Sequence, residues 1–191
     1  MKNTLREDIS IPNYCSFEGR IKGPIDAIRE FVGLMTVDYD TTHSGIIPKS
    51  GHFSRIFEME CEREIDEIKY ESVPELLFSG TCAWSLEAAM GNGPHSYYTH
   101  FMENPKSTAT NIHEFISKHA DVELVIVGVE PGMEFTERIT AENGSVEIEV
   151  EVYSEYYEDE DECDKVRIET SAPWIRVHRE YDDDFIELDL T

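Results

Sequence analysis

The residues with most chemical potential are carboxylates in a strand-like run. In Val146-Glu147-Ile148-Glu149-Val150-Glu151-Val152 acidic and apolar residues alternate, so an extended chain puts Glu147, Glu149 and Glu151 on one face and the apolar residues on the other. Alternate strand residues lie about 7 Å apart, and like charges in such a row repel, which predicts a solvent-facing ladder. Successive phosphates of a DNA strand rise by about 3.4 Å each along the axis and lie on a longer helical path, so the ladder can approximate a phosphate row. Glu158, Asp159, Glu160, Asp161, Glu162 and Asp164 continue the charge beside Tyr153, Tyr156 and Tyr157. Those tyrosines read as anchors, because interface hot spots are commonly aromatic. Asp182-Asp183-Asp184 forms a third acidic cluster. One reading is a surface that imitates nucleic acid for a basic partner. The other is a solvated sheet face and a mobile acidic loop that keep the protein soluble. Cation binding is a weaker third reading, since the run lacks the spacing and glycine of an EF-hand loop.

Other constellations are thinner. His95, His100, His113 and His119 lie close together in sequence, but no closely spaced cysteine pair completes a zinc site. Cys82 or Ser85 with a histidine and Glu87 would make a nucleophilic set, yet no nucleophile-elbow pentapeptide occurs and Cys82 fits a core position. Gly91-Asn92-Gly93 reads as a helix stop rather than a phosphate loop. Trp84 and Trp174 read as packing residues, and Tyr97, Tyr98 and Phe101 as cover for a sheet edge. No cofactor is implied.

Charge narrows the partners. The 191 residues carry 41 acids and 16 bases, a net charge of −25. Residues 121–191 hold 23 of the acids and 5 of the bases, so most of the excess sits in that stretch. Direct DNA binding and attachment to anionic membranes are disfavoured, and a basic partner is favoured. The charged first residues and the absence of a long apolar run predict a soluble, cytoplasmic protein, and four scattered cysteines predict free thiols.

The elements that must position these residues follow from periodicity. Strands are expected over 11–22, 53–60, 76–83, 122–129, 135–140, 146–153, 166–170, 174–178 and 185–190. Within 53–60, Phe53, Arg55, Phe57 and Met59 are expected to face one way and Ile56, Glu58 and Glu60 the other. Val122–Val129 is apolar enough to be buried on both faces. Helices are expected after Gly23-Pro24, with Ile25, Ile28, Phe31 and Val32 inward, over 84–90, and after a cap at Thr110 or Asn111. Glu142-Asn143-Gly144 signals a hairpin. With 84–90 set aside, the order through residue 129 is strand, helix, strand, strand, helix, strand, the split βαβ arrangement of an α+β ferredoxin-like core. The expected organisation is an extension over 1–10, that core over 11–130, and an acidic β-rich extension over 131–191, with additional antiparallel strands, packed on the same domain.

Four short stretches then form a pattern: Pro12-Asn13-Tyr14-Cys15-Ser16, Gly23-Pro24, Gly80-Thr81-Cys82-Ala83-Trp84-Ser85 and Glu130-Pro131-Gly132-Met133. Together they resemble the YubB-like ferredoxin-like proteins of plasmids and bacteriophages, at short stretches within residues 11–145. The resemblance implies a ferredoxin-like fold and a mobile-element origin, and no catalytic set. The charged segment before Pro12 and the acidic region after Tyr153 are additions to the family pattern. The expectation from residues and resemblance together is a mobile-element accessory protein in the bacterial cytoplasm. It binds a basic nucleic-acid-binding protein, such as a CRISPR or restriction nuclease, through Glu147, Glu149, Glu151, the three tyrosines and the 158–164 acids. The alternatives are a metal- or histidine-dependent hydrolase of a nucleotide or RNA, placed among Cys82, Trp84, His95 and His100, and a non-catalytic ferredoxin-like interaction module.

Overall fold

The computed structural model describes residues 14–35, 52–53, 55–93, 110–160, 163–179 and 183–191, with the backbone alone at 157–160, 163 and 164. Among these the chain is α+β and its sheets are antiparallel. In chain order the elements are β1 (Tyr14–Lys22), α1 (Ile25–Met35), β2 (Ile56–Cys61), α2 (Ile65–Ile68), β3 (Glu75–Ala83), α3 (Leu86–Met90) and α4 (Ile112–Lys118). Next come β4 (Glu123–Glu130), a 3-10 turn at Pro131–Met133, β5 (Phe135–Glu142), β6 (Ser145–Glu160), β7 (Cys163–Thr170), β8 (Ile175–Arg179) and β9 (Asp184–Leu188). Seven strands form one sheet in the order β2-β3-β1-β4-β5-β6-β7, and β8 and β9 form a separate hairpin. The sheet runs unbroken from β4 into β5, and β6 and β7 extend it to its far edge.

The helices close one face. Ile28 and Phe31 of α1, Leu86 of α3, and Ile112, Phe115 and Ile116 of α4 pack on Phe17, Ile21, Phe78, Leu124 and Ile126 of the strands. Asn111 caps α4 as its sequence suggested, its Oδ1 accepting the Glu114 N–H at 2.9 Å. A second, smaller core lies on the opposite face, where Val125, Val127 and Tyr153 meet Ile168, Trp174 and Ile175. β4 is therefore buried on both sides, as its apolar run predicted. The Trp174 indole N–H donates to Thr136 Oγ1 at 3.2 Å, and that hydroxyl donates to the Gly128 carbonyl at 2.7 Å, so both side-chain groups are paired inside this core.

Several local expectations need correction. The alternation over 53–60 breaks at a bulge between Ile56 and Glu58. Ile56 is therefore buried on the helix side, while Glu58 and Glu60 face away with Ser79 and Thr81. Trp84 is 37% exposed and lies outside the helix, at φ 71°, where it turns the chain from β3 into α3. Strand β6 continues past Tyr153 to Glu160 because β7 pairs with that length, placing Glu158 opposite Lys165 and Asp159 opposite Asp164. The Asn143-Gly144 turn has φ 53° and 77°, the left-handed pair that a tight hairpin requires.

Candidate functional site

The glutamate ladder lies on the face away from the helices. Cross-strand register sets Glu147 beside Thr140, Glu149 beside Arg138 and Glu151 beside Thr136. Glu147 is exposed, whereas Glu149 and Glu151 are half-buried, and Glu151 Oε2 accepts the Ser171 hydroxyl at 2.6 Å. The expected solvent-facing row is thus open at its Glu147 end and partly roofed beyond it by the chain that follows β7. The apolar phase of the strand also behaves unexpectedly. Val150 and Val152 are 58% and 56% exposed, although the alternation assigns them to a core. Helix α4 lies against β6, and Val146 and Ile148, near the start of that strand, pack on the main core.

The three tyrosines separate. Tyr153 is 1% exposed and sits in the second core, its hydroxyl donating to Glu155. It is a packing residue rather than a surface anchor, because its strand phase points under the β8–β9 hairpin. Burial, then the Glu155 contact, raises its pKa. Tyr156 is 41% exposed, and its hydroxyl donates to Glu169 at 3.3 Å. The backbone of Tyr157, Glu158, Asp159 and Glu160 lies on β6 and that of Asp164 on β7, while Asp161 and Glu162 lie outside the described residues. The acidic run thus belongs mainly to a strand pair rather than a loop.

The third acidic cluster has a structural task. Asp183 Oδ1 accepts the Val166 N–H at 2.9 Å and Asp184 Oδ2 accepts the Ile168 N–H at 3.1 Å. Those amides lie on the outer edge of β7, so two carboxylates occupy donors that an added strand would use. Asp184 is buried, with Arg167 at 3.5 Å and Arg179 at 4.0 Å. Asp182 lies outside the described residues.

The nucleophile candidates are also engaged structurally. Cys82 is fully buried opposite Cys15, and its thiol donates to the Ser85 carbonyl at 3.5 Å. The contact with Cys15, then burial and the nearby Glu137 carboxylate, hold its pKa well above the usual thiol range. Ser85 caps α3, its Oγ accepting the Ala88 N–H at 3.0 Å. His119 contacts Glu30 at 3.1 Å, and Lys118, followed by His119, holds that carboxyl below its ordinary pKa. His95 and His100, like Tyr97, Tyr98 and Phe101, lie outside the described residues. Among the described residues no group of histidine, cysteine and carboxylate side chains is placed to hold a metal ion.

Two features escaped the sequence reading. Glu137 is 3% exposed and accepts the Leu86 and Glu87 N–H groups at 2.5 and 3.2 Å. Burial pushes its pKa up to about 7 against the pull of those donors. The available signal was a charged residue in the inward phase of Phe135, Ile139 and Ala141. The second is a groove of about 950 Å³ between the β8–β9 hairpin and the open part of the sheet. Its floor carries Ser16, Glu18, Glu58, Glu60, Ser79 and Thr81, and its wall Val129, His178, Phe185, Ile186, Glu187 and Leu188. No local pattern joins strands so distant in sequence.

Among the described residues no helix is long and apolar enough to cross a membrane. In comparison with known proteins the chain matches no family model, no curated protein and no solved structure.

Proposed function

We propose that this chain is a non-enzymatic accessory protein of a mobile element that binds a basic nucleic-acid-binding protein and occupies its nucleic-acid surface. A CRISPR effector or a restriction nuclease is the class of target. The observation that carries the reading is the length of β6. Sixteen consecutive residues, Ser145–Glu160, form one strand about 50 Å long, whose backbone carries Glu147, Glu149 and Glu151 along its first half and Glu158, Asp159 and Glu160 at its end. Charges fixed on paired strands have a set spacing, which a flexible acidic loop lacks, and a set spacing is what a groove for phosphates recognises. Tyr156 supplies the exposed aromatic contact, and Tyr153 serves the core.

The ferredoxin-like reading draws support from the order β2-β3-β1-β4 with helices on one face, the spatial order that a split βαβ core produces. The hydrolase alternative gains nothing from Cys82 or Ser85, whose polar atoms are taken up by the fold.

The test is competition. A purified CRISPR effector complex or restriction nuclease is loaded with labelled target DNA and titrated with the intact protein, or with a variant carrying Gln or Asn at 158–162 and 164. Displacement by the intact protein that weakens steeply with added salt, and is lost in the variant, is the expected result. Displacement insensitive to both salt and substitution would refute mimicry.

A further inference from the structure

We infer that the groove beneath the β8–β9 hairpin receives an extended basic segment of the partner, with arginine or lysine at alternate positions. The inference rests on the basic-partner reading and names where that partner's chain is held.

Charge is the first argument. Glu18, Glu58, Glu60 and Glu187 line the groove, and among the described residues no lysine or arginine does. Glu187 is matched by His178 at 2.9 Å and by Arg176 at 3.9 Å, but among the described residues Glu18, Glu58 and Glu60 have no ion-pair partner. Three unneutralised carboxylates facing one concavity select a cation.

Spacing is the second. Register across β2, β3 and β1 builds two parallel rows, Glu60–Ser79–Glu18 and Glu58–Thr81–Ser16. The rows are two residues apart along the strands, about 7 Å, which is also the distance between alternate side chains of an extended peptide. Each row joins carboxylate to hydroxyl, acceptors that suit the several N–H donors of a guanidinium or ammonium group.

The wall supplies the rest. Val129, Ile186 and Leu188 offer apolar surface to the aliphatic stem of a long cationic side chain. At the mouth, Phe185 is 47% exposed and stacks on His178 with ring centroids 4.9 Å apart, presenting an aromatic face of the kind on which guanidinium groups rest. The groove volume exceeds one side chain, so several residues of an extended segment fit.

The experiment is fluorescence anisotropy with a short labelled peptide alternating arginine and serine, and a control peptide with glutamine for arginine, in about 150 mM salt. The full chain is compared with E18Q/E58Q/E60Q, with S79R, which plants a cation in the groove while keeping its acids, and with a hairpin variant neutralised at 158–162 and 164 where β6 meets β7. Circular dichroism establishes that each variant is folded. Expected is binding of the arginine peptide alone, weakened at least about tenfold by either groove variant and less than about threefold by the hairpin variant, with methyl resonances of Val129, Ile186 and Leu188 shifted by the peptide. Loss in the hairpin variant with full binding in both groove variants would overturn the groove and leave the basic-partner reading standing. Absence of peptide binding together with failure of DNA displacement would remove both. Spermine binding as tightly as the peptide, and displacing it, would make this a small-polycation site and overturn the peptide assignment.

Discussion

Replacing Glu137 with glutamine should flatten part of the pH dependence of stability. The carboxyl has an ordinary pKa of 4.5, and burial lifts it to about 7 in the folded chain. A folded group that holds its proton more tightly than the unfolded one contributes stability that is complete below pH 4.5 and lost as pH rises through 7. At about 1.4 kcal/mol per pKa unit, the shift corresponds to about 3 kcal/mol lost across that window. Glutamine keeps an oxygen for the Leu86 and Glu87 N–H groups and removes the titration. Urea unfolding of both proteins at several pH values from 5 to 8 measures the difference, because the remaining carboxylates titrate alike in each and cancel. The native protein should lose about 2–3 kcal/mol more than E137Q over this range. Parallel curves would refute the reasoning. They would mean that the two donated hydrogen bonds, one as short as 2.5 Å, outweigh burial and leave the carboxyl near its ordinary value.

Two further substitutions probe the frame. A Cβ at Gly80 would lie 2.1 Å from the Glu58 carbonyl oxygen and 2.7 Å from the Phe17 ring, so G80A should cost about 1–3 kcal/mol or more in urea unfolding, and it should weaken binding of the arginine peptide because β2 is pushed off the groove floor. D184A strips the buried partner of the Ile168 N–H and of Arg167, and a loss of about 3–5 kcal/mol is expected; D184N, which retains an acceptor, should lose less. Light scattering should also rise for D184A, since the edge of β7 is left open.

Strand existence and helix caps were legible in the sequence because their causes are local. The apolar run of β4, the Asn111 cap and the Asn143-Gly144 turn each act within a few residues. What escaped depends on partners far along the chain. The alternation in β6 correctly puts Tyr153 on the glutamate face, but nothing near it shows that a hairpin beginning about twenty residues later covers that face. The same hairpin turns the polar face of β1, β2 and β3 into the floor of a groove. Strand β6 outruns its apolar pattern because acidic residues are poor strand formers alone, and pairing with β7 holds them extended. The expected alternation holds over Glu58, Met59 and Glu60 and fails at Ile56, because the bulge between Ile56 and Glu58 shifts the phase by one residue. The apolar strand just before Trp84 suggests a core position for it, whereas its left-handed backbone belongs to a turn.

The roof of the second core has a bearing on how the chain is made. Strand β1 waits for β4, whose residues are synthesised about a hundred positions later, before its second neighbour exists. When β4 emerges, Val125 and Val127 point toward a surface that Trp174 and Ile175 will cover only some fifty residues afterwards. In that interval a nascent chain presents an apolar row on an unfinished sheet, the form of chain most prone to join another. The segment synthesised during the interval is the most acidic part of the molecule. Like charge on such chains opposes their association, so the acidity of this segment works against self-joining until the hairpin is made.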